Sequence, residues 1–282
     1  MATTSTSAAT KPTTKVPVVL VTAGSAGLGA AGARLFAANG YRVIVNYNSN
    51  TARAEELLAE LHTISGGATT TSTTTTADSN DNNNTSRGSI AHKLIKADMG
   101  DKAQIQALVA ETVAFAGGID VIFSNQGYTH IRGWDSLDDN VFEDDWDRCF
   151  NVNVKSHLWL LHAARPYLDE AEGCMVVTSS LAGVKPGGSS LAYSVTKAAL
   201  NHLVKGLAVL AAPKIRVNAV CPGLMLTDWG LNFSKEVQES NIARSKLKRV
   251  VTPEETAEQV LCFARSKGVT GVNAVIDAGW SL

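Results

Sequence analysis

"TAGSAGLG", Thr22–Gly29, stands between the apolar run "VPVVLV" (16–21) and "AAGARLFAANG" (30–40), whose composition is helical. A strand, a glycine-rich turn and a helix in that order open a βαβ unit. The pattern then recurs along the chain. Apolar runs rich in β-branched residues follow at "YRVIVN" (41–46), "HKLIKA" (92–97), "IDVIFS" (119–124), "CMVVTS" (174–179), "KIRVNAV" (214–220) and "VNAVID" (272–277), most of them separated by helical patterns. Strands alternating with helices predict an α/β fold with one Rossmann-like, doubly wound parallel sheet and helices on both faces. Near-continuous apolarity is what strands buried on both sides require.

Helices are predicted over 30–40, 51–64, 102–117, 142–168, 191–211 and 253–265. Gly40 ends the first, and the last begins Thr252-Pro253-Glu254-Glu255, a capping residue followed by proline and early acids. Residues 1–15, rich in Ser and Thr, read as a disordered tail. Residues 16–282 read as a single catalytic domain that carries a Thr/Asn/Ser-rich insertion (66–89) and a substrate-loop region (223–250). The insertion has almost no apolar residue with which to offset its ordering entropy, so it is expected to be a disordered surface loop.

With 25 basic and 26 acidic residues there is no charge asymmetry to recruit nucleic acid or an anionic membrane. No apolar run approaches the ~18 residues of a membrane span, and the N-terminal stretch lacks the apolar core of a secretory signal. A cytoplasmic protein acting on a small molecule is expected. The four cysteines, Cys149, Cys174, Cys221 and Cys262, are far apart, show no metal-ligand spacing and read as buried reduced thiols. His130 has no second ligand at metal spacing, and no metal site is expected.

In a doubly wound sheet the first βα turn is where a dinucleotide pyrophosphate rests on a helix N-terminus. Gly24, Gly27 and Gly29 suit that approach, although their spacing is not G-x-G-x-x-G and also fits a plain packing turn. Further along, "YSVTK" sets Tyr193 and Lys197 one helical turn apart. An ammonium beside a phenol favours the phenolate and lowers its pKa from about 10. A solvated helix face is the plainer account of such a pair. Ahead of it, "TSSLAGVKPGGSSLA" runs from a strand end into a loop at the carboxyl edge of the sheet, which makes the Ser180 hydroxyl a candidate for a substrate oxygen.

Together these motifs resemble the short-chain dehydrogenase/reductase family from Val16 to Leu282. "TAGSAGLG" is similar to the family's TGxxxGxG with Ala23 for the first glycine, and "SNQG" (124–127) to its NNAG. "NVNVKS" supplies the helix asparagine, Asn153. "CPGLMLTD" resembles the PG motif with its threonine, Thr227, and "VIDAGWSL" the terminal strand, with Ala278 for a glycine. Gln126 in place of alanine is expected to add bulk near the cofactor.

The resemblance implies reversible hydride transfer between a nicotinamide and a carbonyl or alcohol carbon. Tyr193 is then the general acid/base, and Lys197 lowers its pKa and holds the nicotinamide ribose. Ser180, preferred to Ser179 for its spacing, hydrogen-bonds the substrate oxygen, and Asn153 positions a relay water or simply satisfies backbone groups in a helix irregularity. Cofactor contacts are expected from Gly24, Ser25, Gly27, Leu28 and Gly29 in the turn, from Asn46, Tyr47, Asn48 and Ser49 after the second strand, and from Asp98 and Met99 after the third. Asn125, Gly127, Tyr193, Lys197, Pro222, Gly223 and Thr227 complete the set. No acid follows the second strand and Arg53 stands close in sequence, so NADP(H) is expected ahead of NAD(H). Tyr128, His130, Trp134, Leu181, Pro186, Leu224, Met225, Trp229 and Phe233 are expected to wall an apolar or aromatic substrate. The family also implies a homodimer or homotetramer through the helices of Asn153 and Tyr193. An isomerase, epimerase or dehydratase, or a non-catalytic nucleotide sensor, are the alternatives on the same scaffold.

Overall fold

Val18 and Leu20 of β1 (Val18–Val21) point to one face of the sheet while Val19 and Val21 point to the other, and all four are fully buried. That parity organises the computed structural model, which describes residues 15–66 and 90–282. Residues 1–14 of the expected tail and 67–89 of the expected insertion lie outside the described residues. β1, β2 (Arg42–Tyr47), β3 (Lys93–Lys96), β4 (Val121–Ser124), β5 (Cys174–Thr178), β6 (Arg216–Pro222) and β7 (Asn273–Ile276) form one parallel sheet in the order 3-2-1-4-5-6-7. Each strand coincides with one of the predicted apolar runs.

On one face lie α3 (Lys102–Ala116), α5 (Ser156–Ala171) and α6 (Leu191–Ala211), burying Leu108, Leu160 and Val204 against Val18, Leu20 and Ile122. On the other lie α1 (Gly27–Ala38), α2 (Thr51–Gly66) and α8 (Pro253–Arg265), burying Phe36, Leu57 and Val260 against Val19, Val21 and Phe123. α1 reaches the sheet closely because Gly32 has no side chain: a Cβ there would sit 2.7 Å from the Phe123 ring. The start predicted for α8 is closed by a capping box, the Thr252 hydroxyl accepting from Glu255 N and the Glu255 carboxylate from Thr252 N.

The helix expected over 142–168 runs as α4 (Glu143–Phe150), a π-helical turn (Asn151–Lys155) and α5, with Asn153 at the centre of the turn. Inside the substrate-loop region the chain forms α7 (Lys235–Arg244), which the polar sequence did not signal. No described helix is long and apolar enough to cross a membrane.

The substitution of Ala23 for glycine has a structural consequence. Ala23 is held at φ 46°, in the left-handed region, by Asn46, whose side-chain oxygen accepts from Ala23 N at 3.1 Å. That conformation costs an alanine ~1–2 kcal/mol, against ~0.4–1 kcal/mol of extra chain entropy for glycine in the unfolded state. Ala23→Gly is therefore expected to stabilise the protein by about 0.5–1 kcal/mol and raise Tm by roughly 2 °C. A thermal melt that is unchanged or lower would refute the strain argument.

Candidate active site

β1 and β4 are neighbours, yet the chain leaves them toward opposite edges of the sheet, so a crevice opens beyond their carboxyl ends. The crevice deepens into a cavity of about 530 Å³. One wall is the glycine turn (Ala23, Ala26, Gly27, Leu28) and the other carries Ser180, Tyr193 and Lys197.

The turn differs from the other helix starts bordering this edge. α3, α6, α7 and α8 are capped by Asp101, Ser190, Ser234 and Thr252, and α4, which has no side-chain cap, begins with Glu143, Asp144 and Asp145, whereas Ala26 before α1 has no side-chain acceptor and no acid follows in the first turn. Gly27, at φ 48°, bends the chain so that the uncapped end opens on the cavity, and Thr227 packs across it. Gly24 and Gly29 serve packing: a Cβ on Gly29 would lie 2.5 Å from the Ala23 carbonyl oxygen and 2.7 Å from Asn125 Nδ2. An uncapped helix N-terminus reached by bare backbone fits a phosphate group, so the residues present suit a dinucleotide.

The reactive side chains are brought together by α6, by β5 and by the short 3-10 turn Leu181–Gly183 that follows it. Lys197 is buried, and its Nζ donates to the Thr178 carbonyl at 2.8 Å. It stands 5.6 Å from the centre of the Tyr193 ring, against which the Trp229 ring packs, tilted by 52°, at a centroid distance of 5.7 Å. Burial pulls the Lys197 pKa down to about 8 and pushes that of Tyr193 up to about 12, with the Ser180 side chain partly opposing the second shift. The phenol pKa is therefore raised, contrary to the sequence expectation: desolvation of the phenolate outweighs its partners. Ser179 and Ser180 separate cleanly. Both border the cavity, but Ser179 is buried with its hydroxyl donating to the Lys197 carbonyl, whereas Ser180 is partly exposed, accepts from Ala182 N at 3.1 Å and lies beside Tyr193.

Asn153 is fully buried and grips the Tyr128 backbone from both sides, accepting from its N–H at 2.7 Å and donating to its carbonyl at 2.9 Å, with a third bond to Thr196 Oγ1. Its amide is thus spent on holding the loop after β4, beside Lys197: a Cβ added to Gly127 would be 3.7 Å from both Asn153 Oδ1 and Lys197 Nζ. Asn125, Gly127, Pro222, Gly223 and Thr227 line the cavity. Ser25 and Gly27 border a shallow groove closed by an ion pair between Arg53 and Asp228 at 2.6 Å. Tyr47 is half-buried at the end of β2, with Asn48 and Ser49 exposed beyond it. Asp98 is exposed and bonds Gly100 N, while Asp101 takes the helix-capping role.

Five expectations need correction. Asn46 offers nothing to a ribose, because it is buried with its amide bonded to Ala23 N and to the Ile95 and Ala97 carbonyls. The Met99 side chain joins the core. Gln126 lines the cavity, but its amide presents no free polar group there: it donates to Ser156 and accepts from Thr22 and Ser124, beside His157, which burial keeps neutral. Tyr128, His130 and Trp134 stand apart from the cavity lining: His130 and Arg132 bind Asp145, and Trp134 Nε1 donates to the Gly188 carbonyl. Cys262 is exposed, whereas the other three cysteines are buried. Gly183, Thr178 and Lys185 also shape the site, and no motif announced them.

The family model described as enoyl-(acyl carrier protein) reductase matches residues 63–281, and that for short chain dehydrogenases matches residues 17–93. The putative ketoacyl reductase 2 of the granaticin polyketide synthase of Streptomyces violaceoruber is 31% identical over 268 residues, covering 94% of this chain and 96% of that protein. A short chain dehydrogenase from Burkholderia cenocepacia, solved in complex with NADP, superposes with a TM-score of 0.80 at 27% identity, over 95% of this chain and 99% of that one. A 3-ketoacyl-(acyl-carrier-protein) reductase from Brucella melitensis, solved with NADH, shares the fold at a TM-score of 0.78 and 23% identity, over 95% and 99%.

Proposed function

Because the chain belongs to the short-chain dehydrogenase/reductase family of NAD(P)-dependent oxidoreductases, we propose that it reduces a ketone, or in reverse oxidises a secondary alcohol, with NADP(H). The observation that carries this reading is the convergence of the Ser180 hydroxyl, the Tyr193 phenol and the Lys197 ammonium on one cavity whose facing wall is an uncapped helix N-terminus. A reduced nicotinamide nucleotide, when bound, is the hydride source.

The chain's own groups do the rest. Gly27, Leu28 and Thr227 would hold the pyrophosphate of such a nucleotide, and Asn125, Gly127 and Lys197 its ribose, all of them lining the cavity. Ser180 donates to the substrate oxygen, a bond that gains strength in the transition state as charge builds there. Tyr193 passes its phenolic proton to that oxygen as hydride reaches the carbon, leaving a phenolate that Lys197 stabilises until solvent returns the proton. Asn153 fixes the Tyr128 backbone and with it the loop through Gly127. Leu224, Met225, Trp229 and Phe233 supply apolar walls, which favours an apolar or aromatic body in the substrate.

NADP(H) is favoured because β2 ends in Tyr47, Asn48 and Ser49 with no carboxylate, and because Arg53 stands over the groove beside Ser25. NADPH is expected to bind at least about tenfold more tightly than NADH, one charge-assisted phosphate contact being worth ~1.5–3 kcal/mol. Titration of both nucleotides by fluorescence tests this, and equal affinities would refute the preference. Exposed Leu158 on α5 and Val195 on α6 support a homodimer or homotetramer assembled through those helices.

A further inference from the structure

The charges that line the cavity do not balance. They are Lys185, Lys197 and Asp228, and Asp228 is already paired with Arg53. Lys197 sits at the reacting end with Tyr193. Lys185 follows the 3-10 turn after Ser180, its backbone N–H bonded to the Leu181 carbonyl, and its ammonium donates to an uncharged partner, the Ser281 carbonyl. None of the ion pairs among the described residues includes it.

The segment that Lys185 meets is itself built into the cavity. Asp277 closes a turn by accepting from Gly279 N and Ser281 N at 2.8 Å each, which aims Trp280 at the cavity. Arg244 of α7 lies 3.7 Å from the centre of the Trp280 ring and, among the described residues, forms no ion pair. Apolar walls therefore run from Tyr193 and Trp229 to a part of the site where an ammonium faces a backbone carbonyl. A carboxylate would exchange that ion–dipole hydrogen bond for an ion pair, neutralising an ammonium that forms none among the described residues, in surroundings whose apolar surface raises its worth.

Resting on the reductase reading above, we propose that the substrate is an anionic amphiphile: a carbonyl compound whose apolar body ends in a carboxylate, received by Lys185 while the carbonyl meets Ser180 and Tyr193. Lys185 is then a specificity residue of this chain, and the carboxylate takes the place of the Ser281 carbonyl on its ammonium.

The test is a matched pair of probes, 5-oxo-5-phenylpentanoate and its methyl ester, which differ in the charge. The wild-type protein is expected to prefer the acid by about tenfold or more in kcat/KM, the scale of one hydrogen bond to a charged group. Lys185→Gln should bring the acid-to-ester ratio to near one, and Lys185→Arg should restore it. A purely structural role for Lys185 would lower both probes alike and leave the ratio intact, which overturns the proposal, as does a wild-type ratio near one. Quenching of tryptophan fluorescence, with Trp229 and Trp280 in the cavity wall, reads the same ratio as Kd values. If neither probe is turned over, that result counts against the reductase reading, and the Kd ratio still decides the inference.

Discussion

Tyr193→Phe is expected to lower carbonyl reduction by roughly 10³ to 10⁴-fold in kcat/KM, the contribution of a positioned general acid at the upper end of its range, while nucleotide affinity stays within about twofold. The substitution removes one oxygen and keeps the ring that packs against Trp229. The fold and the glycine turn are untouched, and what is lost is the proton donor. NADPH oxidation measured by absorbance against a panel of aromatic, alicyclic and aliphatic ketones gives the rate, and a fluorescence titration gives the affinity. Turnover by the variant comparable to wild type would sink the assignment.

The pH dependence follows from the same pair. kcat/KM reports the ionisation of the free enzyme, in which burial holds Tyr193 at about 12 and Lys197 at about 8. The phenol is therefore protonated, as a proton donor must be, throughout the neutral range. The ammonium that stabilises the resulting phenolate loses its proton as pH rises through about 8. Reduction should be level below that pH and decline above it, so a profile that climbs from pH 8 to 10 would contradict the role given to Lys197.

Gly183→Ala is expected to cost about 1–3 kcal/mol of stability, the usual penalty of overpacking, and to reduce kcat/KM by roughly 100-fold, as a 1 Å misplacement of a reacting group does. Gly183 ends the 3-10 turn after Ser180, and a Cβ on it would lie 2.4 Å from the Lys197 carbonyl carbon and 2.5 Å from its oxygen. Both obstructing atoms are backbone in the middle of α6, so no side chain can swing aside. The turn and the helix are also tied by Ser194 Oγ donating to the Ala182 carbonyl and Asn201 Nδ2 to the Gly183 carbonyl. Pushing them apart moves Ser180 away from Tyr193 and Lys197 together. A variant with wild-type Tm and kcat/KM would show that the contact relaxes freely, against this account.

All seven strands and the start of α8 were legible in the amino-acid order because their causes are local: runs of β-branched residues, and a capping threonine followed by proline and two acids. The pairing of Tyr193 with Lys197 was legible for the same reason, since four residues along a helix bring two side chains to one face whatever surrounds them. α7 was not, because its residues are polar and none is buried, so no apolar period marks it.

What the sequence alone determined is therefore the α/β architecture, the glycine turn at its switch point and the set of residue types gathered at the carboxyl edge. What each of those residues does with its polar atoms was decided only in three dimensions. The Gln126 amide is engaged because Thr22, 104 positions away, donates its hydroxyl proton to the amide oxygen. Tyr193 acquired a raised pKa because the fold buries it. Lys185 stands in the site with its ammonium on the carbonyl of Ser281, 96 positions on, beside Trp280 of the cavity wall. Desolvation and hydrogen bonding depend on neighbours that are distant in the chain, and local pattern carries no record of them.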